Sequence, residues 1–296
     1  GDTVKNYLIV DAHTHLWERQ AGTVDGRPVF SVGGGKSNFG GEIRQMMPPD
    51  MDDNRCTVER LLGNMDYGGV SGCVVTQEYM DGNQDDYLLS CKKKYGKRMK
   101  ICSLYEEKSG WKTEGFDGVK ICACKLADKN LLHHEEVFRE TERKGMFISV
   151  DLADGDIQVE QMQELISRYP HLRIAIGHFG MVTTEGWQRQ IALACNPNVY
   201  IESGGLTWLF NDEGYPYPAA VDAILEAADI CGMEKLMWGS DYPRTMVALT
   251  YEMSVRFIRE SNRLTEQEKR AFLGENAIRF YHFGQLEKPQ HIANML

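Results

Sequence analysis

Short runs of β-branched and apolar residues alternate along the chain with longer stretches whose apolar positions recur every three to four residues. The short runs predict eight strands, at 7–13, 72–77, 100–105, 117–123, 146–151, 173–178, 199–203 and 236–241. The longer stretches predict helices at 57–67, 84–96, 133–144, 156–169, 184–195, 216–231 and 243–261, and a last one starts at Thr265, where Thr-Glu-Gln-Glu reads as a capping box. Eight strand-helix repeats in one chain predict an α/β fold of the closed (β/α)₈ barrel type rather than an open doubly wound sheet.

One segment breaks the repeat. Residues 18–54, rich in Gly and Pro, separate the first strand from its helix. A connection this long is functional or disordered, and it leaves the strand at the rim where barrel active sites lie, so it is expected to act as a lid or flap. Its Ser-Val-Gly-Gly-Gly-Lys-Ser stretch does not make a phosphate loop, because Phe30 stands where the first Gly is required.

Length and composition fit this reading. At 296 residues the chain matches one barrel domain with insertions, and 42% hydrophobic residues suffice for its core. A formal charge of −10, with no cluster of Lys and Arg, argues against nucleic acid as a partner. Eight cysteines without a paired or zinc-ribbon spacing fit a reducing compartment, and no long apolar run predicts a membrane span. The expectation is a cytoplasmic protein acting on a small molecule. The start at Gly-Asp leaves open whether a leader was removed, and nothing in the sequence decides for or against a homo-oligomer.

The chemistry concentrates at predicted strand ends. His13 and His15, two apart in Val-Asp-Ala-His-Thr-His, face the same way on a strand and form half of a metal site. His178 ends the sixth strand and Asp241 the eighth, where polarity serves no packing purpose. Lys120 and Asp151 occupy comparable places on the fourth and fifth strands, and Glu78 follows the second. Each of these three is also compatible with an ordinary hydrogen-bonded rim residue. Trp208, with Phe210, Tyr215 and Tyr217, follows the seventh strand and is a candidate wall of a substrate pocket, with simple loop packing as the alternative.

The phrases VDAHTHLW, IGHFG and WGSDYPR resemble the first-, sixth- and eighth-strand signatures of the amidohydrolase superfamily, and GENAIRFY resembles its closing helix. Nearly the whole chain is covered. The stretches VVTQEYMDGNQDDYLLSC, RYPHLRIAIGHFG and NPNVYIESGGL are most similar to the lactonase branch, which includes 2-pyrone-4,6-dicarboxylate lactonase and sugar-acid lactonases. The resemblance implies a metal site of His13, His15 and Asp241, with His178 as a further ligand or a carbonyl-polarising group. Many zinc-dependent members carry a histidine where this chain has Asp151, and without it the Lys120 position cannot complete a two-metal centre. The implied cofactor is therefore a single zinc ion or none.

The implied reaction is attack of water on a lactone carbonyl, with Asp241 taking the proton and passing it to the leaving alkoxide. His13, His15 and His178 would stabilise the oxyanion, and Lys120 and Arg244 would hold a substrate carboxylate, although Arg244 also suits a solvated helix start. Three alternatives stand beside this one: amide hydrolysis, metal-dependent decarboxylation of an aromatic acid, and an inactive barrel used for binding.

Overall fold

A computed structural model describes residues 7–293 and residue 295 of the chain. Eight parallel strands follow one another around a barrel in chain order: Val10–His15, Gly72–Thr76, Met99–Leu104, Gly118–Ile121, Phe147–Val150, Arg173–Ile176, Val199–Glu202 and Leu236–Met237. The last strand is short, so the seam back to the first is closed by the residues after it. Ala12 N–H donates to the Trp238 carbonyl, Asp241 N–H to that of His13, and His15 N–H to that of Tyr242, each at 2.9 Å.

Alternation along the strands sorts the residues into an inner and an outer layer. Inside, Val10, Ala12, Val74, Cys102, Phe147, Ala175 and Met237 form one cluster with Phe280, Tyr281, Phe283 and Leu286, which come from the last helix, Asn276–Tyr281, and the segment after it. Tyr281 meets Phe147 edge to face, with ring centroids 4.9 Å apart. This end of the barrel is thus plugged with apolar side chains, and the polar positions lie at the other end. Outside, the strands pack on the surrounding helices through a second, larger cluster that includes Leu61, Leu88, Phe138, Met162 and Ile224.

The first strand contains an irregularity that matters for the site. Val10 and Asp11 pair with Gly72 and Cys73, but Thr14 and His15 pair with Val75 and Thr76, so one extra residue is inserted between them. Strict alternation would send His13 to the face opposite Val10 and Ala12. The bulge resets the parity, and both histidines turn inward while the Thr14 hydroxyl donates to the Val74 carbonyl at 2.8 Å.

The insertion is more ordered than a loop. Thr23–Val24, Arg27–Gly33, Lys36–Phe39 and Glu42–Gln45 form a four-stranded antiparallel sheet, joined by hairpins whose glycines, Gly33 to Gly35 and Gly40 to Gly41, have positive φ. The helix expected over 243–261 also differs, being a 3₁₀ turn, Arg244–Val247, followed by a helix, Tyr251–Arg259, that begins only where Thr250 caps the Met253 amide. The capping box at Thr265 is present with Glu268. All eight cysteines are free, and no helix among the described residues is long and apolar enough to cross a membrane.

Candidate functional site

The inner-layer positions at the open end are polar on strand after strand. Lys120 follows Gly118 by two, Asp151 follows Phe147 by four, Glu202 follows Tyr200 by two and Asp241 follows Met237 by four. Period two therefore carries all four toward the same end of the barrel. Glycines stand beside them at several inward positions. A Cβ on Gly177 would stand 2.2 Å from Asp151 Oδ1 and 2.6 Å from Glu202 Oε1, and one on Gly204 would stand 2.6 Å from the His13 ring. His178 comes one residue after the inward position and reaches the site through a left-handed backbone, φ 60°, as Asp241 does at φ 61°. Non-glycine residues held there carry strain that is common at functional sites.

Three atoms converge at the bottom of the mouth. His13 Nε2 lies 3.1 Å from His15 Nε2 and 3.4 Å from Asp241 Oδ1, and His15 Nε2 lies 3.1 Å from the same oxygen. Ligand atoms about 2.0–2.1 Å from a tetrahedral metal ion stand about 3.3–3.4 Å from one another, so this set fits a single divalent ion. The second coordination layer fits as well. Glu202, which sequence reasoning missed, takes His13 Nδ1 at 2.8 Å and the His178 amide at 2.9 Å, which leaves the His13 Nε2 lone pair facing the cluster. The Trp208 indole donates to Asp241 Oδ2 at 2.9 Å.

Burial pulls the His15 pKa down to about 4, so its imidazole is neutral at physiological pH and can ligate. The Asp241 carboxyl sits well below the usual carboxylate range. Burial alone would raise it, but the His15 hydrogen bond, with the electrostatic pull of the neighbouring imidazoles, outweighs that effect.

A second group of charges adjoins the first. Asp151 Oδ2 is shared by Lys120 Nζ at 2.7 Å and His178 Nε2 at 3.2 Å. Burial opposes ionisation here too, but the two cations hold the carboxyl well below its ordinary range, and in return His178 is driven well above the usual imidazole range. Lys120 is fully buried and points at Asp151, not at the cleft. Glu78 lies 4.0 Å from Lys120 Nζ and accepts from the Cys122 thiol at 3.5 Å.

Burial lifts the Glu78 pKa from 4.5 to about 7 against the pull of Lys120. Between those values the unfolded chain has lost its proton and the folded one has not, so this group costs stability increasingly as pH rises through that window. Glu78→Gln removes the titration. Its stability relative to the parent is expected to improve from about pH 4.5 to 7 and level off above, as read from urea midpoints. A difference that is flat with pH would show that Glu78 titrates normally.

A cleft of about 600 Å³ opens above these groups. His15, Glu78, Asp151, His178, Trp208 and Asp241 line its base, Arg244 stands at its side, and Arg44, Gln45 and Met46 of the insertion overhang it. Arg244 pairs with Asp81 at 2.5 Å through Nη2 and lies over the Trp17 ring, 5.5 Å from its centroid, while its Nε and Nη1 are buried without a hydrogen-bond partner. Of the other aromatics expected near Trp208, Tyr217 is buried in the core and Tyr215 is exposed.

The amidohydrolase family model matches residues 10–283. No curated protein matches the chain. Among solved structures it is similar to an amidohydrolase from Burkholderia multivorans with bound zinc, at 17% identity, TM-score 0.67, covering 93% of this chain and 99% of that one. It is similar to a probable 2-pyrone-4,6-dicarboxylic acid hydrolase from Acinetobacter baumannii with citric acid bound, at 18% identity, TM-score 0.69, covering 93% and 99%. A 5-carboxyvanillate decarboxylase from Sphingomonas paucimobilis matches at 15% identity, TM-score 0.59, covering 94% and 99%. At these identities the structural likeness speaks for the fold.

Proposed function

The chain belongs to the amidohydrolase family, as an enzyme of that type, and on that footing we propose that it hydrolyses a carboxylated lactone with Asp241 as the proton-transfer group. The observation that carries this reading is the convergence of Asp241 Oδ1 with His13 Nε2 and His15 Nε2 at the base of an open cleft. A carboxylate so placed accepts a proton from water on one side of a bound carbonyl. His178, a cation held by Asp151, lies with its ring centroid 4.6 Å from that of His13 and is suited to stabilise the oxygen on which negative charge develops. Zinc bound by His13, His15 and Asp241, with His178 nearby, would supply Lewis acidity to water and to the carbonyl oxygen.

Arg244 supplies the carboxylate preference. A buried guanidinium with unpaired Nε–H and Nη1–H donors is costly unless a ligand meets them, and an anion does so best. Glu78 and Trp208 line the same cleft and shape its base, whereas Lys120 acts from beneath by fixing Asp151 and, through it, His178.

A panel of carboxylated pyrones, sugar-acid lactones and neutral lactones, followed by proton release, tests the reading. Carboxylated lactones are expected to exceed their neutral counterparts in kcat/KM by about tenfold or more, the worth of one charge-assisted hydrogen bond. Silence toward every lactone, together with carbon dioxide release from an aromatic acid or amine release from an amide, would replace it with decarboxylation or amide hydrolysis.

A further inference from the structure

We infer that Asp81 is a positioning residue that couples the anion-binding side of Arg244 to the packing of the inserted sheet. Order in that flap and affinity for a substrate carboxylate are thereby linked. The anion half of this inference rests on the reading of Arg244 above, and the structural half does not.

Asp81 lies on the short 3₁₀ turn Tyr79–Asp81 beyond the second barrel strand and is buried. Its Oδ1 accepts from two elements at once: Arg244 Nη2 at 2.5 Å from the barrel side, and Gln20 Nε2 at 3.0 Å from the root of the insertion. Gln20, also buried, passes the link on, since its Oε1 accepts from the Ser37 hydroxyl at 2.9 Å. Ser37 is buried in the strand Lys36–Phe39, which pairs through Ser37 and Arg44 with the strand Glu42–Gln45 that overhangs the cleft. A run of buried side-chain hydrogen bonds from Arg244 to Ser37, continued by the pairing of Lys36–Phe39 with Glu42–Gln45, therefore joins the cleft arginine to the cleft-lining edge of the flap.

The backbone at this junction is equally close. Ala21 N–H donates to the Asp81 carbonyl at 3.2 Å, and a Cβ on Gly22 would fall 1.9 Å from the Tyr79 carbonyl oxygen. The flap root and the Asp81 turn are therefore packed backbone against backbone, and the Gln20 amide adds the link that orients the Asp81 carboxylate. Removing the Arg244 charge leaves the Asp81 carboxylate buried with only the Gln20 amide, and a buried carboxylate so stranded seeks water. Conversely, cutting the Gln20 link frees Asp81 and with it the guanidinium whose Nε–H and Nη1–H await a ligand. Such linkage is reciprocal: whatever Arg244 contributes to flap order, flap order contributes to anion binding at Arg244.

Amide hydrogen exchange on the full chain, without any ligand, tests the coupling. Arg244→Met is expected to speed exchange of the flap amides over 27–45 by about tenfold, the worth of one buried hydrogen bond, while amides of the far barrel strands stay unchanged. Ser37→Ala, a milder change made within the flap itself, should speed the same amides. Unchanged flap exchange in Arg244→Met overturns the coupling. In a second arm, binding of isophthalate, a flat dianion with no hydrolysable bond, is compared with that of the neutral isophthalamide. Gln20→Leu is expected to weaken the dianion about tenfold and leave the diamide unaffected. Equal weakening of both ligands would reduce Gln20 to general packing and overturn the link to the anion. If Arg244→Met loosens the flap yet binds isophthalate as the parent does, the coupling stands and the carboxylate-binding reading of Arg244 falls.

Discussion

Replacing Asp241 by Asn is expected to lower turnover about 10²- to 10⁴-fold, the usual worth of general acid–base catalysis, and to leave the fold intact. Asn keeps the size and shape of Asp and can still accept from the Trp208 indole that now meets Oδ2 at 2.9 Å. It cannot take up a proton. The backbone at 241 has φ 61°, a conformation Asn tolerates as well as Asp, so the change adds no strain there. Because Asp241 also faces His13 and His15, loss of a bound ion would mimic the result, and the variant has to be assayed across added zinc. Turnover that stays low at saturating zinc assigns the defect to proton transfer. Near-parental turnover would place water activation elsewhere, and His178 would be the next candidate. The low pKa of Asp241 has a further consequence: the parent's carboxylate survives to more acid pH than an ordinary Asp, so its acidic limb lies below the usual carboxylate range.

Much of this arrangement was legible because a barrel converts period two into position. Lys120 and Asp151 stand at polar positions of apolar runs, where alternation turns them toward one mouth, and Asp241 reaches the same mouth through the left-handed backbone that follows the short last strand. Glu202 obeys the same rule in Val-Tyr-Ile-Glu-Ser and is readable by it, although it is not among the residues singled out above. The pair His13 and His15 was placed correctly for an incomplete reason, since spacing puts them on one face but only the bulge between Asp11 and Thr14 decides that the face is the inner one.

Other features had no local signal. Asp11 lies outside the mouth and ties the two ends of the barrel seam, accepting from the Ser240 amide and hydroxyl, the His13 amide and the Tyr251 hydroxyl. Its partners are up to 240 residues away. Asp81 is similar, because its meaning comes from Arg244, 163 residues later. In the insertion the signs of a sheet were present: Val29, Ser31 and Gly33 alternate with Phe30 and Val32, and the turn pairs Asp25–Gly26, Gly34–Gly35 and Gly40–Gly41 mark its three hairpins. High Gly content masked them, and the stretch read as a loop.

The metal prediction follows from how these residues share their lone pairs. Among the described residues two triads are close enough to hold an ion, His13 with His15 and Asp241, and His13 with Asp151 and His178. Both need His13, whose Nδ1 is committed to Glu202, so only its Nε2 lone pair is left for either. Asp151 is further committed, since its Oδ2 already bears the buried Lys120 ammonium and His178, which is itself held as a cation and offers no lone pair. The first triad is free of such competition, with a neutral His15 and an ionised Asp241. One divalent ion per chain is therefore expected, and elemental analysis after dialysis against stoichiometric zinc should find it. His15→Asn should abolish retention on dialysis, because it removes one of three protein ligands. Glu202→Gln should weaken retention about 10- to 100-fold, the usual cost of losing the group that orients a ligating imidazole. Two tightly held ions per chain would mean that Lys120 gives up its ion pair to Asp151 and serves as a ligand, and the lone-pair argument would then be wrong.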